Sequence, residues 1–213
     1  MQTEKAPIFV ARHAETVFNR AARMQGNNSH TPLTRAGFVQ ADAMGAALAD
    51  HAARTGERPA IWTSPAGRTR QTASIIAEHL DMSFFDIQAD ARLREIEVGR
   101  WTGRNYADIV AEEGDIFDRE HRLFRMPVEG GEHYRDVAER LAEWLAGLDR
   151  TTPVLAISHG MTARVLRGLL TGGRDYHGVL VAPDVPQGSV VRITGETETL
   201  LFTGSGASGV QAV

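Results

Sequence analysis

Short apolar runs alternate with longer helical stretches along this chain, and that alternation limits the fold more than any other feature. Five runs rich in β-branched or aromatic residues predict strands: PIFVAR, AIWTS, VLAISH, SVVRIT and TLLFTG. Longer stretches such as TRAGFVQADAMGAALADHAA and MTARVLRGLLTG carry apolar residues at helical spacing. The alternation predicts an α/β domain with a mostly parallel sheet. The last two runs, separated only by GETE, predict a terminal hairpin.

A chain of 213 residues suits one domain, which we place at residues 1–203. Residues 104–135 mix acidic, basic and aromatic side chains and are predicted to form a cap over a pocket. Residues 204–213 are predicted to form a flexible Gly/Ser-rich tail. The tail includes GSGASG, which has the spacing of a dinucleotide-binding loop, but too few residues follow it to form the helix that such a loop needs.

Composition excludes several classes of function. The net charge of −4 gives no reason to expect nucleic acid or an anionic membrane as a partner. The chain has no cysteine, which excludes disulfides, thiolate metal sites and a cysteine nucleophile. No apolar run approaches the length of a membrane span, and the N-terminal MQTEKAPIFVAR lacks a signal-peptide core. We therefore expect a cytoplasmic protein.

Two of the predicted strands run directly into histidine. IFVARH ends at Arg12 and His13, and VLAISH ends at His159. The carboxyl ends of parallel strands meet at one edge of a sheet, which is where ligands bind in open α/β folds. A third strand leads into PAGRTRQTA and brings Arg68 and Arg70 to the same edge. The sequence therefore predicts a cluster of imidazoles and guanidinium groups there.

A carboxylate completes this cluster, because ARLREIEVGRWTG supplies Glu95, with Glu97 nearby. Guanidinium groups bind phosphate oxygens in a bidentate manner and stay charged at neutral pH. A neutral imidazole can attack phosphorus and form a covalent intermediate. A carboxylic acid can protonate the leaving alkoxide and then activate water. Together these residue types indicate phosphate-ester chemistry.

Each of these residues also has an ordinary structural interpretation. Most of the eight histidines are expected to lie on the surface or to satisfy core groups. Arg70 and Arg94 are expected to be solvated or structural, and one of Glu95 and Glu97 could simply pair with an arginine. The placement of several such groups at strand ends is what favours a site.

Several motifs, in order, resemble those of the histidine phosphatase superfamily, in the branch that includes cofactor-dependent phosphoglycerate mutases. They are ARHAETVFN, MQGNNSHTPLTRAG, TSPAGRTRQTA, LREIEVGRWTG, VEGGEHYRDVAERL and ISHG. The resemblance extends from residue 8 to about residue 193. It implies a three-layer α/β/α sandwich, like that of phosphoglycerate mutase, with a mostly parallel central sheet.

The resemblance also implies roles for individual residues. His13 is the expected nucleophile, and Arg12, Arg68 and a protonated His159 are expected to hold the phosphoryl oxygens, with Asn19 closing the pocket. No metal or other cofactor is expected.

Further positions of the motifs have implied roles. Glu95 is the expected proton donor. Gln25 and Gly26 are expected to border the substrate, and the backbone of Gly160 and Met161 to donate to the anion.

Two positions depart from the family pattern. Ala14 stands where glycine is usual, so it is strained if its φ is positive and merely a tighter fit if its φ is negative. His133 stands where serine is usual after GGE. We expect both residues to shape the wall of the pocket.

The reaction expected from the sequence is metal-independent hydrolysis of a small phosphate monoester. Mutase-type transfer, a metal-dependent hydrolase and a phosphate-binding protein without activity are the alternatives. The expected partner is a small phosphorylated substrate, with a second copy of the chain in a homodimer left open. The substrate itself is not fixed, because residues of the cap could favour an apolar alcohol (Phe117, Phe124, Met126) or a second anion (Arg119, Arg122, Arg125).

Overall fold

The apolar runs of the sequence pair into one central sheet. The protein is seen here as a computed structural model, which describes residues 5–206. The strands are β1 (Ile8–Arg12), β2 (Ala60–Thr63), β3 (Gln88–Ala89), β4 (Phe117–Asp118), β5 (Leu123–Phe124), β6 (Val154–Ser158), β7 (Arg174–Tyr176), β8 (Val179–Val181), β9 (Val190–Thr194) and β10 (Thr197–Phe202). The α-helices are α1 (Val17–Arg20), α2 (Arg35–Thr55), α3 (Gly67–His79), α4 (Tyr106–Glu113), α5 (Tyr134–Ala146) and α6 (Gly160–Thr171).

The sheet has the strand order β10-β9-β1-β6-β2-β3. The pairs β1–β6, β6–β2 and β2–β3 are parallel, whereas β9 runs antiparallel to both β1 and β10. The mostly parallel sheet expected from the sequence is therefore confirmed, and β9 and β10 form the expected terminal hairpin.

All residues of β1 are buried because both faces of the sheet are covered. Ile8 and Val10 face one apolar cluster, whereas Phe9 and Ala11 face the other. This period of two explains why the run is apolar without alternation.

Helices cover the two faces and complete the three layers. Helices α2 and α3 pack together over the face that carries Phe9, while α5 and α6 cover the opposite face. Thr34 begins α2 by accepting a hydrogen bond from the Gly37 amide through its side chain. Among the described helices, none combines the length and the apolarity needed to cross a lipid bilayer.

Residues 104–135 form α4 and the β4–β5 hairpin. The Tyr106 and Phe124 rings stack with their centroids 6.1 Å apart, and both rings line the cavity described below. The segment thus contributes to the wall of a pocket.

The expected loose tail was wrong for its first residues. The Gly204 amide donates to Ser189 Oγ at 2.9 Å, and Gly206 forms a β-bridge with Gln187. An added Cβ at Gly204 would lie 2.0 Å from the Gln187 carbonyl oxygen, so only glycine permits this contact. The rest of the tail, residues 207–213, lies outside the described residues.

Glu57 joins the end of α2 to the sheet, and its replacement by glutamine is expected to destabilise the fold. Its carboxylate accepts from Arg192 at 2.6 and 2.8 Å and contacts His51 at 2.7 Å. The hydrogen bond from Arg192 is the main cause that lowers the pKa of Glu57 from 4.5 to about 2. The expected loss is about 1 to 2 kcal/mol, because water still reaches part of the pair.

Urea unfolding of the E57Q variant at neutral pH would measure this loss. A group with a lowered pKa stabilises the fold above its unfolded pKa, so the difference from wild type should shrink as the pH falls from 4.5 towards about 2. Glu196→Gln, in the exposed β9–β10 turn, is the matched control. Equal stability of E57Q and E196Q at neutral pH would contradict the prediction.

Candidate active site

The first two histidines of the predicted site lie side by side because their strands are parallel neighbours. His13 follows β1 and His159 follows β6, and the His13 amide donates to the Ser158 carbonyl at 3.0 Å. Their ring centroids are 5.3 Å apart, and both residues are buried. The sheet edge therefore forms as the sequence predicts.

The His13 ring is held in one tautomer. Its Nδ1 lies 2.8 Å from the Ala14 carbonyl oxygen, which can only accept, so Nδ1 carries the proton. Burial, followed by the charges of Arg68 and Arg12, lowers the pKa of His13 well below its ordinary value. The ring is therefore neutral, and Nε2 carries an unshared electron pair.

Ala14 fits its position without backbone strain. The non-glycine residues with positive φ in the described chain are Ala22, Asp81, Arg122 and His177, so Ala14 is not among them. Ala14 is fully buried, and its amide donates to Thr72 Oγ1 at 3.1 Å. The methyl group of Ala14 is therefore a tighter fit than glycine and imposes no backbone strain.

Arg68 is buried and bound on nearly every side. Its Nε donates to His159 Nδ1 at 3.1 Å, and its Nη2 donates to the Gly26 carbonyl at 2.9 Å. Its Nη1 donates to the Asn28 carbonyl and to Thr31 Oγ1. Burial lowers the pKa of Arg68 to about 10, so the group stays cationic at neutral pH. One N–H of Nη2 remains for a ligand.

The His159 ring is neutral in the structure, so the expectation of a protonated His159 was wrong. Its Nδ1 accepts from Arg68, so the proton of the neutral ring is on Nε2. Burial, and next the charge of Arg68, lowers the pKa of His159 well below its ordinary value. His159 therefore offers a neutral N–H donor instead of a cation.

Two buried N–H groups at this edge have no hydrogen-bond partner in the described residues. They are Arg12 Nε and His159 Nε2. Buried donors are rarely left unpaired, because removing them from water costs free energy. Each of the two is a donor suited to an anion.

Glu95 is held at the beginning of α6. Its Oε1 accepts from the Thr162 amide and from Thr162 Oγ1, both at 3.0 Å, and its Oε2 accepts from the Met161 amide at 3.2 Å. The expected use of the Met161 amide for the substrate anion was therefore wrong, because that donor binds Glu95. Gly160 lines the cavity and packs against the Arg12 guanidinium, with an added Cβ 3.5 Å from its Cζ.

Asn19 and Gln25 line the cavity, and the side-chain oxygen of each accepts two hydrogen bonds from the protein. Asn19 Oδ1 accepts from the Thr16 amide at 3.0 Å and from Gln187 Nε2 at 2.9 Å. Gln25 Oε1 accepts from Thr16 Oγ1 at 2.9 Å and from Thr31 Oγ1 at 2.8 Å. The side-chain nitrogens of the two residues are hydrogen-bond donors, which suit a bound anion.

Gly26 needs its small size. It has φ +49°, and an added Cβ would meet Val98 Cγ2 at 2.5 Å. Both facts favour glycine, whose carbonyl then accepts from Arg68.

These residues line a cavity that opens to solvent. The residues predicted from the sequence that line it are Arg12, His13, Asn19, Gln25, Gly26, Arg68, Glu95, Gly160 and Met161. His159 contacts His13 and Arg68 beside it. The structure thus brings the whole predicted set together, although the catalytic roles remain predictions.

Other candidates lie elsewhere. The Arg70 guanidinium lies 5.0 Å from the centroid of the Phe84 ring, and Arg94 pairs with Glu132. Glu97 lies outside the cavity lining, and its Oε1 accepts from Thr102 Oγ1 at 3.4 Å.

The expectation that His133 shapes the pocket wall was wrong. His133 is exposed at the start of α5, where its amide donates to Asp136 Oδ2 at 2.9 Å, and it lines a different cavity.

Sequence reasoning missed several residues of the site. Gln187 is buried and donates to Asn19 and, at 3.3 Å, to the His13 carbonyl. Asp184 lines the cavity, as does Tyr106, whose burial raises its pKa to about 12 and keeps the hydroxyl protonated. Only proximity to the strand SVVRIT could have pointed to the loop that carries Asp184 and Gln187.

Residues 5–206 contain no group of three or more histidine or acidic side chains arranged to hold a metal ion. The chain matches the model of the histidine phosphatase superfamily (branch 1) over residues 8–203, and it belongs to that superfamily.

Among curated proteins, "Probable phosphoglycerate mutase GpmB" of Klebsiella pneumoniae subsp. pneumoniae is 36% identical over 176 residues, covering 79% of this chain and 76% of that protein. The protein of the same name from Citrobacter koseri is 34% identical over 172 residues, covering 78% and 74%.

Two solved structures share the fold at lower identity. The alpha-ribazole phosphatase from Shigella flexneri has a TM-score of 0.68 at 22% identity, covering 94% of this chain and 97% of that chain. The mycobacterial glucosyl-3-phosphoglycerate phosphatase has a TM-score of 0.67 at 24% identity, covering 95% and 100%. These likenesses show the fold alone.

Proposed function

We propose that this protein is a metal-independent phosphatase that hydrolyses a small phosphate monoester through a phosphohistidine at His13. The observation that carries this proposal is the neutral His13 ring beside the unpaired donors Arg12 Nε and His159 Nε2. A nucleophile with a free electron pair and neighbouring donors for an anion are together what phosphoryl transfer requires. The protein is proposed to act in the cytoplasm.

In the first step, His13 Nε2 attacks phosphorus and the bond between phosphorus and the alcohol oxygen breaks. Glu95 gives a proton to the leaving oxygen, and the alcohol departs. Arg12 and Arg68 hold the phosphoryl oxygens as charge spreads over them. The neutral His159 donates its Nε2 proton to one of these oxygens as a hydrogen bond.

In the second step, water attacks phosphorus while the Glu95 carboxylate takes a proton from it. The bond between phosphorus and Nε2 breaks, which restores the neutral His13 ring and releases phosphate. The hydrogen bond from Nδ1 to the Ala14 carbonyl keeps Nε2 directed at the phosphoryl group through both steps.

Mutase-type transfer is the second candidate, and the names of the curated relatives favour it. Two observations support hydrolysis instead. Arg119 and Arg125 of the cap contact Asp115, and neither lines the cavity around His13. The third cap arginine, Arg122, lines a neighbouring cavity. A sugar acid would therefore find no cap arginine in the cavity lining to bind its carboxylate.

The purified protein is expected to hydrolyse p-nitrophenyl phosphate at an unchanged rate after treatment with EDTA. Release of nitrophenol, with and without the chelator, is the measurement. Loss of the activity on chelation would overturn metal independence. Rapid interconversion of phosphoglycerates after priming with bisphosphoglycerate, with negligible hydrolysis, would favour the mutase.

A further inference from the structure

Asp184 is an acidic residue of the cavity lining that the mechanism above does not use. It lies in the loop 182–189 between β8 and β9 and lines the same cavity as His13. Its Oδ2 is buried and has no hydrogen-bond partner among residues 5–206. An unpaired buried acceptor costs free energy, so a ligand that donates to it would be favoured.

Arg164 is a cation that interacts with this carboxylate, but its own hydrogen bonds go to other groups. Burial lowers the pKa of Arg164, and the charge of Asp184 opposes that shift, so the two groups interact, although they form no ion pair among residues 5–206. Arg164 Nε donates to the Ala182 carbonyl at 3.0 Å, and its other nitrogens donate to the carbonyls of Arg122 and His121. Arg164 is thus occupied by backbone oxygens, and Asp184 keeps its acceptor for a ligand.

The arginines of the cavity are those that are proposed to bind the phosphoryl group. Arg12 and Arg68 are the arginines that line it, and both lower the pKa of the adjacent His13. Asp184, in contrast, also lines a neighbouring cavity that contains Arg122 and Arg164. Asp184 therefore lines both cavities, and the second one also contains Arg174.

The rest of the wall is mostly apolar or aromatic. It includes Met24, Ile96, Val98, Tyr106, Phe124 and Met161. Such a wall suits an alcohol portion with an apolar face, and Asp184 suits a hydrogen-bond donor on that portion. A carboxylate or a second phosphate at the same place would be repelled.

We infer that Asp184 determines substrate class: the alcohol portion carries a hydroxyl or ammonium donor and no negative charge. This inference rests on the proposed phosphatase function, and it assigns to Asp184 the recognition of the leaving group. Asp184 takes no part in the transfer of the phosphoryl group itself.

Three esters of matched length test the inference: 2-aminoethyl, 2-hydroxyethyl and carboxymethyl phosphate. We expect wild type to prefer the first two over the third by roughly tenfold or more in kcat/KM. The Asp184→Asn variant, which removes the charge but keeps the size, should reduce that preference at least about fivefold, chiefly through KM. Glu120→Gln removes the same charge from the neighbouring cavity and should leave the preference as in wild type.

The outcomes separate this inference from the function on which it rests. If no ester and no p-nitrophenyl phosphate is hydrolysed by wild type, the proposed function fails. If hydrolysis occurs but D184N has the wild-type preference, or E120Q changes it equally, the role of Asp184 fails alone. Preference of wild type for carboxymethyl phosphate would also overturn the inference, and would indicate that a second anion reaches the arginines of the neighbouring cavity.

Discussion

Replacement of His13 by asparagine is expected to lower kcat for p-nitrophenyl phosphate by at least about 10⁴-fold, because the nucleophile is lost while the anion donors remain. Asparagine is smaller and polar, so the Arg12 and Arg68 guanidinium groups should keep their positions. Phosphate should still bind to H13N, since those donors do not depend on the imidazole. Steady-state kinetics, together with phosphate binding measured by calorimetry, would check both parts of the prediction.

The covalent intermediate gives an independent readout of the same residue. Rapid quenching of wild type during turnover of a labelled ester should trap an acid-labile, base-stable phosphoryl group, and H13N should trap none. His177→Asn is the matched control. His177 lies in an exposed turn at φ 52°, a conformation that asparagine tolerates. A folded H13N protein with the activity of H177N would refute the mechanism.

Replacement of Arg68 by lysine is expected to lower kcat/KM by about 10²- to 10³-fold, although the charge is kept. A lysine ammonium cannot donate to His159, Gly26 and Thr31 while also holding a phosphoryl oxygen, because these partners lie around a planar guanidinium. His159 would then lose the hydrogen bond that fixes its tautomer. We therefore expect kcat to fall along with an increase in KM.

Arg70→Lys is the control for that variant, because it makes the same change nearby on α3 and its guanidinium lies over Phe84 outside the site. R70K should keep the wild-type kcat/KM. Thermal unfolding of both variants would separate a folding defect from a chemical one. If R68K unfolds at the wild-type temperature and retains wild-type kcat/KM, Arg68 does not have the role assigned to it.

The part of the site that follows buried strands could be predicted from the sequence. Uninterrupted apolar runs mark strands that are covered on both faces, and a charged residue directly after such a run must lie at the sheet edge. This reasoning placed His13 and His159 at the sheet edge, whereas Arg68 lies further along the chain, in the first turn of α3. It depends only on local pattern and on the parallel pairing of β1, β2 and β6.

Hydrogen bonds between distant segments determine the features of the site that could not be predicted from the sequence. The tautomer of His159 depends on Arg68, 91 positions away along the chain. The Met161 amide is engaged by Glu95, 66 positions away. Gln187 reaches the His13 carbonyl from 174 positions away. No pattern within a window of residues encodes such pairings, so these features became visible only in the fold.

The reversed direction of β9 has a consequence for how this scaffold can change. Because β9 runs antiparallel to β1, it begins at the sheet edge where β1 ends. The loop 182–189, which leads into β9, therefore reaches the edge that carries His13. Asp184 therefore belongs to a short exchangeable segment, whereas His13, Arg68 and Glu95 are supplied by other parts of the polypeptide. New leaving-group preferences could thus be engineered by varying position 184 within this one connection while keeping Gln187, which donates to Asn19 and to the His13 carbonyl.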